Sequence, residues 1–192
     1  MAWLSFRQLD YMEIKYGTNV LISDKASIYG TDIEIGNNVR IDDFCILSGK
    51  IRLGNNIHIG AYCALYGKFG IVMEDYTGLS PRCTIFSATD DFSGDYLISP
   101  MNPPEFCNVT GGEVKLQKFV QVGAGTIIMP NVILYKCAAI GAMSFIKNNV
   151  PSFEIWAGNP LRFIKHRMIK LIDLAKEYEK QLRNTERKRQ RR

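Results

Sequence analysis

The sequence predicts an all-β chain wound as a parallel β-helix, with one protruding loop and a C-terminal α-helix. Three observations predict this. Apolar residues recur every sixth position, a single long aperiodic segment interrupts the period, and the last forty residues switch to helical spacing. From Ile33 the inward positions read Ile33, Val39, Cys45, Ile51, Ile57 and Cys63, each followed two places on by Ile35, Ile41, Leu47, Leu53, Ile59 and Leu65. A short run continues the register with Ile71, Thr77 and Cys83, backed by Met73, Leu79 and Ile85. A third returns at Val114, Val120, Thr126, Val132, Ala138 and Ser144, backed by Leu116, Val122, Ile128, Leu134, Ile140 and Ile146. A fixed six-residue period marks a solenoid in which each hexad is one short side of a coil.

Positions i and i+2 of a hexad lie on one face of a strand and point inward. The residue between points outward, which suits Glu34, Arg40, Arg52, His58, Lys115 and Gln121. Corners are expected at Gly36-Asn37-Asn38, Gly54-Asn55-Asn56, Gly60 and Gly123-Ala124-Gly125, residues that tolerate positive φ.

Taken in order, residues 1–19 lie outside the register and are expected to cap the open end of the coil, since exposed coil ends present unpaired edges. The coil body is expected from 20 to 150. Lys68–Gly70 brings a two-residue insertion, after which the register resumes at Ile71. The larger interruption, 87–112, holds three of the seven prolines and no sustained period, so it leaves the coil as a loop. Loops of that length inside compact domains usually carry function. Residues 151–186 are expected to hold the turn Ala157-Gly158-Asn159-Pro160 and a helix from about Leu161 to Arg183. Its stripe Ile164, Met168, Leu171, Ile172, Ala175 and Tyr178 reads as packing surface.

The formal charge of +5 does not point to nucleic acid. Arg187, Lys188, Arg189, Arg191 and Arg192 supply five positive charges, which leaves 1–186 neutral and reads 187–192 as a solvated, disordered basic tail. No aromatic and basic interleaving builds a nucleic-acid platform. Five cysteines, an odd number without a CxxC pair, argue against a disulfide framework and for a reducing compartment. Neither a signal-peptide layout nor an apolar run of membrane-spanning length is found, and a cytoplasmic protein without a membrane partner is expected.

The hexads, the single loop and the ordered run Gly123-Ala124-Gly125, Pro130-Asn131-Val132, Gly141-Ala142-Met143-Ser144 and Ala157-Gly158-Asn159-Pro160-Leu161-Arg162 resemble the hexapeptide-repeat acyltransferases. Within that family the chain is most similar to the maltose and galactoside acetyltransferase branch, and it resembles sugar acetyltransferases of surface-polysaccharide biosynthesis. The resemblance covers roughly residues 20–166. It implies a left-handed coil, a homotrimer with active sites between subunits, and acetyl-coenzyme A as donor, with no metal.

Carried over by position, Ala124 and Ala142 match places whose backbone lines the pantetheine, where small corner residues allow close approach. Arg162 and Lys165 match basic positions that meet the nucleotide phosphates. Lys147 and Asn148 match a Thr-Lys pair in swapped order, so either is the contact.

One departure carries mechanistic content. The family places a histidine at the loop entrance as general base on a sugar hydroxyl. Here the stretch is Ser87-Ala88-Thr89-Asp90-Asp91, with Asp90 at the histidine's place. The two histidines, His58 and His166, read as surface residues on a hexad and on the C-terminal helix. A carboxylate is a weak base for an alcohol but a fit anchor for an ammonium, whose neutral form is already nucleophilic. Asp90 and Asp91 are therefore the candidate catalytic residues, with Asp90, Tyr66 and Asn108 as candidate substrate contacts; Asp95, Glu105 and Tyr96 are weaker ones. Ala61 and Gly67 fall where the family's sugar-binding Asn and Asp stand, so the acceptor is expected to differ from galactosides.

The leading expectation is N-acetylation of a nucleotide-linked amino-deoxysugar. The alternatives are O-acetylation of a saccharide hydroxyl and a scaffold of the same fold without activity. A zinc carbonic anhydrase on such a coil needs converging nitrogen ligands, which two histidines do not supply.

Overall fold

The structure, a computed structural model, describes residues 2–30 and 32–189. It is a left-handed parallel β-helix with a protruding loop and a C-terminal helix. Strands of two or three residues stack coil upon coil. The first of three faces runs through Val20–Ile22, Val39–Ile41, Ile57–Ile59, Gly78–Leu79, Gln121–Val122 and Ala139–Ile140. The other two merge into one ten-stranded sheet, because Ile46–Leu53 and Ala64–Met73 bend around a shared corner.

Every inward position of the fifteen hexads is buried, including Thr77, Thr126 and Ser144. The two hydroxyls nearest the C-terminal end turn to backbone: Thr126 and Ser144 donate to the carbonyl of Gly141 at 3.3 and 2.7 Å. A buried hydroxyl so satisfied escapes the desolvation penalty of an orphan. The thiols of Cys45, Cys63 and Cys83 donate to the carbonyls of Gly60, Ser80 and Gly123 at 3.2 Å each, and all five cysteines are free.

The corners differ from the expectation in an informative way. Asn38, Asn56 and Gly125 do take positive φ, but so do the bulky residues Phe44, Tyr62, Tyr76, Phe119 and Phe153. Such a conformation costs on the order of 1–3 kcal/mol for a non-glycine residue. Stacking between coils offsets part of it: Phe44 lies on Tyr62 with ring centroids 5.0 Å apart, and Tyr76 on Phe119 at 5.1 Å. Gly36 serves close approach, because a Cβ there would sit 2.5 Å from the carbonyl oxygen of Gly54.

Both ends depart from the sequence-based bounds. The coil starts at Lys15–Tyr16, which pairs in parallel with Ile33–Ile35, so the cap is the helix α1 (Phe6–Tyr11) and its flanks. Ser5 and Gln8 close a capping box on α1, and Leu9 is buried over the core. At the far end Leu161 does not open a helix. Arg162–His166 is a strand, antiparallel to Glu154–Ala157, and it ends the stack. The helix α2 runs Lys170–Arg189, beyond the expected end at Arg183. The basic segment thus continues as helix through Arg189, and residues 190–192 lie outside the described residues. His166 is on the strand, not on the helix.

Candidate active site

The loop 87–112 leaves the coil after Thr84–Phe86 and returns at Val114–Leu116. Its two stems zip antiparallel, Ala88 opposite Gly111 and Thr89 opposite Thr110, and the Gly112 amide donates to the Ser87 carbonyl at 2.9 Å. Gly111 has φ +152°, and a Cβ there would overlap the Ser87 carbonyl oxygen. The stems can close this tightly only on glycine. Farther out the loop pairs with itself: the Leu97 amide donates to the Phe106 carbonyl at 2.8 Å across a short 3-10 turn, Pro104–Phe106.

Between loop and coil lies a cleft of roughly 700 Å³. Tyr66 and Lys68 line it from the coil, Ala88, Thr89 and Asp90 from the stem, and Ser99, Asn102 and Cys107 from the outer loop. The Tyr66 ring is held by stacking on Phe86, 5.3 Å between centroids and 12° between planes. Asp90 is exposed to the cleft, and its carboxylate has no hydrogen-bond or ion-pair partner among the described residues.

Asp91 is placed differently. Its Oδ1 accepts from the Ser93 amide at 2.7 Å and from the Ser93 hydroxyl, and its Oδ2 accepts from Asn108 Nδ2 at 3.0 Å. These bonds, the Ser93 hydroxyl foremost, hold the Asp91 carboxyl below its ordinary range. Asp91 and Asn108 thus spend their polar groups on each other and on Ser93, bracing the loop from which Asp90 faces the cleft. The geometry brings Tyr66 and Asp90 together and leaves Asp91 and Asn108 off the cleft lining. Asp95, Tyr96 and Glu105 are also exposed outside it.

The candidate coenzyme residues gather at the C-terminal end of the coil. Ala124 and Ala142 occupy one corner of successive coils, the Met143 amide donating to the Ala124 carbonyl at 2.8 Å. Ala142 is exposed and Ala124 half-buried. Lys147 and Asn148 line a smaller cleft of roughly 260 Å³ with Phe145, Asn159, Pro160 and Leu161. Arg162 and Lys165 lie on the closing strand, opposite Ala157 and Ile155, and both are exposed. Sequence reasoning assigned no role to Lys68, Ser99, Asn102 or Cys107. Only Lys68 had a signal, the register insertion it begins.

A parallel β-helix that throws one loop beside a stepped corner of small residues has the architecture of the hexapeptide-repeat proteins. No family model matches the chain. It is 43% identical over 179 residues to the dTDP-4-amino-4,6-dideoxy-D-glucose acyltransferase of Escherichia coli, covering 91% of this chain and 93% of that enzyme. It is 45% identical to the N-acyltransferase AntD from Bacillus cereus, solved with dTDP and 3-hydroxybutyryl-CoA, with a TM-score of 0.89 over 94% of this chain and 98% of AntD. A maltose O-acetyltransferase from Clostridium difficile shares the fold at 21% identity, with a TM-score of 0.58 over 85% of this chain and 76% of that one. The chain belongs to the hexapeptide-repeat acyltransferase family, in the group formed by the Escherichia coli enzyme and AntD.

Proposed function

We propose that this acyltransferase moves the acetyl group of acetyl-CoA onto the amine of a nucleotide-linked amino-deoxysugar, a dTDP-4-amino-4,6-dideoxyhexose being the first acceptor to try. The observation that carries the reading is Asp90, a carboxylate without a partner among the described residues, exposed in the loop cleft at the place where the resemblance expects a histidine. The nature of the two relatives supports it, since both are acyltransferases and AntD is solved with a dTDP ligand and an acyl-CoA.

An ammonium drawn to Asp90 gives up one proton, to the carboxylate directly or through water. The free amine attacks the thioester carbonyl carbon, a C–N bond forms, and the C–S bond breaks. Nitrogen gives up its second proton as the amide forms, and the departing thiolate takes up one proton, leaving an amide and coenzyme A. No strong base is needed, because nitrogen is nucleophilic once neutral. Asp91, through Asn108 and Ser93, keeps the loop in shape around this step.

On this reading the coenzyme lies along the corner of Ala124 and Ala142, with Lys147 or Asn148 and the charges of Arg162 and Lys165 at its far end. The site is completed by a neighbouring copy in a homotrimer, and the enzyme works in the cytoplasm. Among the described residues no helix is long and apolar enough to cross a membrane, and no cluster of three metal-ligating side chains occurs.

The test is transfer from acetyl-CoA, followed by thiol release, against paired nucleotide-linked amino sugars and their hydroxyl counterparts, with wild type and Asp90→Asn. Turnover confined to amines and reduced about 100-fold or more in the variant is expected. Equal turnover of hydroxyl acceptors would move the assignment to O-acylation.

A further inference from the structure

We infer that Lys68 is the cation that receives the diphosphate of the acceptor, and that the two-residue insertion within Lys68–Gly70 exists to carry it there. The inference rests on the reading that the loop cleft takes a nucleotide-linked amine.

The insertion breaks an otherwise regular coil. The strand Ala64–Met73 pairs with Ile46–Leu53 through Gly67 opposite Gly49, then shifts register before Ile71 meets Ile51. The extra residues are not slack. Ser87, the first residue of the loop, is buried, and its hydroxyl accepts from the Phe69 amide at 2.9 Å while donating to the Tyr66 carbonyl at 3.0 Å. One buried hydroxyl therefore pins the backbone on both sides of Lys68 and ties it to the root of the loop. An unpaired outward lysine on a regular hexad would need no such clamp.

Charge completes the argument. Of the residues lining the cleft only Lys68 and Asp90 are charged, one of each sign. Among the described residues neither has an ion-pair partner, although most other acidic groups on the coil are paired, such as Glu74 with Lys115 and Asp75 with Lys118. A nucleotide-linked amino sugar carries the same two charges, an ammonium at one end of the sugar and a diphosphate at the other. The cleft offers the complement of both: Asp90 for the ammonium and Lys68 for the diphosphate. Lysine suits a diphosphate as a mobile point charge with three donors.

The experiment uses the full chain and needs no turnover. Calorimetric titration with dTDP compares wild type, Lys68→Met and Lys68→Arg. The assignment expects the Met variant to bind about 10- to 100-fold more weakly and the Arg variant to keep most of the affinity. In steady state the KM for the nucleotide-linked amine should rise by a similar factor, with kcat and the KM for acetyl-CoA unchanged. Equal dTDP affinity in wild type and Lys68→Met overturns this assignment alone. If wild type binds neither dTDP nor another nucleoside diphosphate, the nucleotide-sugar reading falls and takes Lys68 with it.

Discussion

Asp75 shows how single residues are made to serve the whole coil. Its Oδ1 accepts from the Asn55 amide at 2.8 Å, Asn55 Oδ1 accepts from the Asn37 amide at 2.8 Å, and Asn37 Oδ1 accepts from the Thr18 amide at 2.8 Å. The ladder satisfies one orphan corner amide per coil, and Asp75 ends it with a salt bridge to Lys118 at 2.8 Å. Burial works to raise the Asp75 carboxyl, but the bonds from Lys118 and Asn55 outweigh it and the net shift is downward. A carboxylate depressed in the folded state contributes stability that is complete above the ordinary carboxylate range, near pH 4, and is lost as pH falls through the depressed value. Asp75→Ala should therefore cost about 1–3 kcal/mol at neutral pH, read by urea unfolding. Asp75→Asn keeps the acceptor for Asn55, so it should cost less and show a shallower loss of stability below pH 4. An unchanged acid slope in Asp75→Asn would contradict this.

The same scale shows what could be read from residue types alone. The thirty inward positions were legible because burial inside a narrow coil forces an apolar or small residue at fixed spacing. Phe44, Tyr62, Tyr76, Phe119 and Phe153 were not legible as corners, since aromatic residues rarely take positive φ. Their conformation depends on the coil next door, which a local reading does not contain. Asp90 was legible as a departure at one place of the family pattern, whereas the ties of Asp91 to Ser93 and Asn108 required the loop's own hydrogen bonds.

Among elements, the C-terminal helix illustrates the limit of periodicity. Residues 161–166 carry apolar and basic residues at spacings that suit a helix, yet they pair with Glu154–Ala157. The open last strand of a solenoid has a row of unpaired backbone groups, and covering that edge outweighs weak helical propensity. Phe163 packs edge-on to Trp156 at 5.9 Å, fixing the hairpin. Once the edge is covered, α2 is free to form, and it returns to the coil through Ala175 and a hydrogen bond from the Tyr76 hydroxyl to Glu179 at 3.0 Å. Burial, then that carboxylate, pushes the Tyr76 hydroxyl up to about 12. Because most of α2 is exposed, this one bond is a large share of its docking. Tyr76→Phe should remove about 1 kcal/mol of it and speed hydrogen exchange across residues 170–189, with the coil strands unchanged. Uniform acceleration through the coil would show that helix and coil open as one unit. The loop was legible as a departure from the coil, but its stem pairs and the Ser87 clamp join residues eighteen to twenty-three apart and leave no periodic trace.

Over the whole molecule, the coil is a rigid spacer that sets two clefts at different heights. One lies between loop and coil and holds Asp90 and Lys68, and the other lies at the C-terminal end beside Lys147 and Asn148. On the proposed reading, a long, thin donor lies along the stack while the loop meets the acceptor, since solenoid units touch only their neighbours. The division of fold and chemistry explains why the architecture could be read early. The hexads specify the coil many times over, whereas the loop cleft is lined by a few side chains that no period relates. In the proposed reaction this loop presents an amine, not a hydroxyl, to the acyl donor. The bond made is the thing to measure: incubate the chain with acetyl-CoA and dTDP-4-amino-4,6-dideoxyglucose, remove residual acetyl-CoA, then treat the product with alkaline hydroxylamine and follow the acetyl group by mass spectrometry. An acetylated product that resists hydroxylamine, as an amide does, is expected. An acetyl group released as the hydroxamate would mean an ester, and would contradict the proposed reaction.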